Sequence, residues 1–132
     1  MSLGISDQRS AVAVRAERER GRLEVLEPVV AAVAGHAALN CYGVMGMAAR
    51  NLRDGVFTLV RRENVHRGVE IRRLTEGLVI DLFVVVQYGT RIQEVAHNLQ
   101  ETVKFAIERA VQVPVIEVNV TVQGVHEDHA AN

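Results

Sequence analysis

Cysteine is nearly missing from this 132-residue chain. Cys41 stands alone, so no disulfide can close within it, and a reducing cytoplasm is the expected setting. Long apolar runs are missing too. None approaches the roughly 20 residues that a bilayer-spanning helix needs, so direct membrane insertion is not expected. Ala11–Val14 is too short, and too closely flanked by charge, to be the apolar core of a signal peptide. Net charge is only −1, which argues against wholesale electrostatic binding and makes nucleic acid an unexpected partner. Lysine is the scarcest charge: Lys104 is the single Lys among 15 basic residues, a pattern that reads as coding bias. Repeats, low-complexity tracts and linkers are absent. What is present, 48% apolar and 23% charged residues, is the balance of one globular domain with a real core.

The strongest signal runs from Leu78 to Ala110. Leu78–Val86 is rich in β-branched residues and has the length of a strand. Tyr88-Gly89-Thr90 ends it, with Gly89 suited to a positive φ and Thr90 placed to cap the next helix. From Ile92 to Ala110 the apolar residues recur with a period near 3.6, uninterrupted by Gly or Pro. Upstream, residues 21–26 alternate as a short first strand, and Pro28 suits the first position of a helix that ends near Asn40. Gly35 and the alanines of that helix allow close approach to a neighbour. A weaker helix is expected over Ala48–Val60, then a polar connector from Arg61 to Arg67 and a strand over Gly68–Leu74, turning at Thr75–Gly77. Val113-Pro114 breaks the chain before a last strand, Val115–Val122, whose even positions are apolar and odd ones largely polar.

The order β-α-(α)-β-β-α-β predicts an α/β chain of the α+β kind. It would be a two-layer sandwich, a mixed but mostly antiparallel sheet with two main helices on one face. Residues 1–20 read as a flexible leader, 21–125 as the single domain and 126–132 as a polar tail.

No constellation of catalytic residues emerges, and no cofactor or metal is implied. His126 and His129 lie in the tail without the spacing of a zinc protease. Cys41 has no base near it in sequence. Gly43-Val44-Met45-Gly46 matches the Gly-x-x-Gly loop of KH modules but lacks their basic residue. Charge is uneven: between Arg50 and Arg73 seven Arg, including Arg61, Arg62, Arg72 and Arg73, outnumber Asp54, Glu63 and Glu70. From Leu74 onward the chain is acidic, so two lobes of opposite sign are available for docking. Phe105 falls on the far side of the long helix from its apolar stripe, which marks it for contact with another chain. Val79, Phe83 and Val85 make the second sheet face too apolar to stand free. Asp81 interrupts that strand and needs a structural partner, with Arg72, Arg73 and Arg91 as candidates. Asn119 is a polar residue at a structural position on the last strand.

These residues carry a family resemblance over about 21–125. Gly43-Val44-Met45-Gly46-Met47 is followed by Gly68-Val69. Asp81-Leu82 comes next, with Val84, Val86, Tyr88 and Gly89, then Ile92, Glu94, Val95, Ala96, Asn98 and Gln100. Val118-Asn119-Val120 and Gln123-Gly124-Val125 complete the series. In this order they resemble the alkaline shock protein family, also called the Gls-type envelope stress response proteins. Val113-Pro114 departs from the family, which commonly turns there with Gly. The resemblance implies a bacterial, cytoplasmic, non-enzymatic protein of envelope stress or homeostasis. It further implies a self-associating scaffold or adaptor, a homo-oligomer gathered beneath the membrane by a membrane-anchored partner. The alternative is an RNA- or ribosome-associated module resting on the Gly43–Gly46 loop and the Arg-rich lobe.

Overall fold

One strand, Gly77–Gln87, anchors the sheet. The computed structural model describes residues 26–51 and 53–126. Within them a helix over residues 26–39 (α1) leads into β1 (Val44–Arg50), β2 (Phe57–Leu59) and a 3₁₀ segment (Arg62–Gly68). Then come β3 (Val69–Leu74), β4 (Gly77–Gln87), α2 (Ile92–Val111) and β5 (Val115–His126). β4 shares one edge between two neighbours: β3 runs antiparallel along Gly77–Leu82, and β1 antiparallel along Val84–Val86. Its other edge pairs in parallel with β5 from Leu78 to Gln87. β2 adds to β1, so the sheet is mixed, antiparallel except at β4–β5. The chain is an α+β two-layer sandwich.

Alternation along β4 decides the layers. Leu78, Ile80, Leu82, Val84 and Val86 are all but fully buried and meet both helices in one core. α2 contributes Val95, Leu99, Val103, Ile107 and Val111, the stripe its 3.6-residue period marks out. α1 contributes Val30, Ala34 and Ala38. Its small residues matter as predicted: a Cβ on Gly35 would stand 2.9 Å from the Val65 side chain and 3.0 Å from its backbone, so the helix presses directly on the 3₁₀ segment.

Several expectations need correction. The predicted first strand and the leader lie outside the described residues, except Leu26, which is already helical. The expected helix over Ala48–Val60 is instead the β1–β2 hairpin, in which Asn51 and Asp54 side chains accept the amides of Arg53 and Val56 at 2.9 and 3.0 Å. These Asx turns and the Asp54-Gly55 step compete successfully with helix formation. Thr90 does not cap α2. Its hydroxyl donates to the Gln87 carbonyl at 2.6 Å, and Arg91 occupies the cap position without a side-chain bond to the helix amides. The last strand continues through His126; the rest of the expected tail, with His129, lies outside the described residues.

The Val113-Pro114 corner is closed by unusual means. Gln112 takes the left-handed conformation (φ 57°) where Gly is the common choice, and its amide donates to the Glu108 carbonyl at 2.9 Å. The Glu108 carboxylate then accepts the Val115 amide at 2.9 Å, and Leu78 donates its amide to the Pro114 carbonyl at 2.9 Å. This brings Pro114 onto Gly77, whose φ of 152° and absent side chain make room; a Cβ there would collide with the Pro114 carbonyl.

Two outcomes follow for stability. Ile80→Ala should lower the unfolding free energy by about 2–5 kcal/mol. Phe105→Ala, on the surface, should change it by less than about 0.5 kcal/mol; urea titration of both variants checks the contrast. Gly77→Ala should lower Tm more than Gly89→Ala. Gly89 also has a positive φ (89°) but open space around it, so only the backbone cost of about 1–2 kcal/mol applies there.

Candidate interaction surfaces

α2 turns its best-packed face inward and leaves Phe105 outside, 64% exposed. The Arg109 guanidinium lies over the ring, 5.9 Å from its centroid. That contact is worth about 0.5–1 kcal/mol in an exposed setting. Weak surface contacts decorate the same helix: an Arg91–Glu94 salt bridge at 3.2 Å and a His97–Glu101 contact at 3.3 Å, all exposed.

The sheet face away from the helices divides into an apolar and a polar half. Phe83 lies 5.0 Å from Phe57, centroid to centroid, with the rings tilted by 33°. Arg50 caps Phe57 at 5.1 Å. Val85 is half-buried opposite Gly46, and the missing side chain of Gly46 lets Leu59 lie across β1. Part of the cover on this face comes from the β1–β2 hairpin, through Phe57 against Phe83. Phe57 carries no earlier mark in the sequence because its segment reads as helix.

In the polar half, Asp81 receives the fork of Arg72. Nε donates to Oδ2 at 3.0 Å and Nη2 to Oδ1 at 3.2 Å, and Asn119 Nδ2 donates to Oδ1 at 3.0 Å. The Asp81 side chain is 18% exposed, and this three-residue set satisfies it. Arg72 is 60% exposed, so the ion pair itself contributes at most about 1 kcal/mol. Its role is to permit an acid within an apolar strand.

The other predicted residues are not gathered into one site. Arg72 and Arg73 point to opposite faces, as neighbours on a strand must, and Arg73 approaches Glu27 of α1 at 3.8 Å. Arg61 and Arg62 are exposed at the start of the 3₁₀ segment. Gly89 sits in the turn after β4. Gly43 and Gly46 flank the entry to β1 rather than joining two helices, so the Gly-x-x-Gly stretch is not a KH loop. The half-buried Cys41 thiol reaches the Ala37 carbonyl at 3.5 Å, a local contact with no base in it. Among the described residues, no three His, Cys, Asp or Glu side chains converge as metal ligands would.

The chain is similar to several known proteins. Over 106 residues the chain is 44% identical to the YloU protein of Bacillus subtilis (strain 168), covering 80% of this chain and 88% of that one. It is 35% identical over 113 residues to the Spy1614 protein of Streptococcus pyogenes serotype M6, covering 85% and 93%. Among solved structures, the copper form of the MamM CTD is similar at 16% identity and a TM-score of 0.43, over 73% of this chain and 82% of that one. The model of the alkaline shock protein 23 family, a family with a cell envelope-related function, matches residues 15–127, and the chain belongs to that family.

Proposed function

We propose that the protein is a non-enzymatic scaffold or adaptor of the cell envelope, which self-associates on the cytoplasmic side and is held there by a membrane-anchored partner. The observation that carries this reading is Phe105, an aromatic ring on the outer face of a helix whose inner face is already well packed. Fully burying such a ring in a contact is worth about 1.5–3 kcal/mol. Glu101, Lys104 and Arg109 around it form the polar rim that commonly encloses an interface anchor. The envelope-related role of the family supports the location. Among the described residues no helix is long and apolar enough to cross a membrane, so attachment is assigned to a partner.

Sedimentation velocity over a wide concentration range tests the self-association. The wild-type mass should rise with concentration, while Phe105→Glu should remain at the monomer mass under the same conditions. A wild type that stays monomeric throughout overturns this half of the reading. For the partner, the protein should bind native membrane vesicles, lose that binding after the vesicles are treated with protease, and ignore protein-free lipid vesicles. Equal binding to pure lipid would remove the need for a protein anchor.

A further inference from the structure

We propose that β5 is the docking edge for a second copy of this chain: two β5 strands pair antiparallel about a two-fold axis, joining two sheets into one, with the α2 helices flanking the seam. This deepens the self-association reading and rests on it.

The first ground is the edge itself. β5 is 12 residues long and ladders with β4 on one side; among the described residues its other side carries no ladder. Proteins usually blunt an edge of this length with Lys, Pro or charge. Here Val115–Val125 contains no Lys and no Pro, and Glu117 is its single charge. Register shifts leave Ile116 and Gln123 as the extra residues, one near each end, and between them Glu117–Val122 runs regularly. The N–H and C=O groups on the far side of that stretch from β4 form a template outside any ladder among the described residues. Antiparallel pairing with an identical strand satisfies both copies at once, as an isologous contact requires.

The second ground is what lies beside the edge. An open groove of about 290 Å³ follows it, walled by His97, Gln100, Glu101 and Lys104 of α2 and floored by residues 116–118 of β5. Ile116 is 44% exposed there, and Phe105 stands one turn on from Glu101. The third ground is charge. On the groove wall Glu101 and Lys104 are the two opposite charges, while Glu94 is paired with Arg91 and the Glu108 carboxylate is taken up by the Val115 amide. A two-fold axis across paired β5 strands sets the two helices antiparallel. Glu101 of each copy then faces Lys104 of the other, whereas a parallel arrangement would oppose like charges.

The test uses the full chain and surface charge reversals that leave the core untouched. Lys104→Glu and Glu101→Lys should each weaken homodimerisation by about tenfold, and mixing the two variants should restore a heterodimer of near wild-type affinity. Hydrogen exchange should show backbone amides in residues 117–122 gaining protection as concentration drives the wild type from monomer to dimer. If the wild type assembles but the reversals have no effect and those amides exchange alike in both states, this inference falls while self-association stands. Protection already complete in the monomer would place another segment of the same chain on the edge and overturn it equally. A wild type that never assembles sinks both readings.

Discussion

The constraint on which the structure depends is that β4 must be satisfied on three sides at once. Its core face is buried beneath both helices, and each of its edges is hydrogen-bonded. A strand so enclosed tolerates little besides aliphatic residues on its inner face, and Leu78, Ile80, Leu82, Val84 and Val86 supply them. On the outer face the demands are looser. Phe83 can pair with Phe57, and even an acid is admitted at Asp81 because Arg72 and Asn119 arrive from the strands on either side. The same aspartate would be costly without them.

The parts that were legible from the residues are those with one dominant period. α2 and β5 were readable from a 3.6-residue stripe and from alternation, because burial on one face leaves that signature, and β4 from its β-branched content and length. The β1–β2 hairpin was not. Met47-Ala48-Ala49 is apolar and helix-compatible, and its strand conformation comes from pairing with β4 and from the Asx turns at Asn51 and Asp54. Tertiary pairing overrode local propensity. The cap of α2 was misread for a similar reason: Thr90 commits its hydroxyl to closing the turn at Gln87.

The candidate surfaces divide along the same line. Phe105 was visible because a helical wheel alone puts it outside, and Asp81 because a charge in an apolar strand demands a partner. The cluster of Arg61, Arg62, Arg72 and Arg73 was misleading, since closeness in sequence says little about a shared face once a strand alternates. That β5 lies at an edge among the described residues could not be read at all. Which strand lies at an edge is a property of sheet order, and that order is set by how the βαβ crossover through α2 lays β5 against β4 rather than by any residue within β5.

The shared edge of β4 has a mechanical consequence. β3 and β5 grip it over long registers, but β1 registers only through Val44, Gly46 and Met47, and β2 reaches the sheet solely by way of β1. β1 is nevertheless fastened from within, because Met47 is fully buried in the common core and lies against Gly68 of the 3₁₀ segment. β2 has no such fastening: beyond its rungs to β1 it is held by the Phe57–Phe83 ring contact and by Arg50 resting on Phe57. Fraying of the sheet therefore starts at β2 and leaves the rungs of β4 intact.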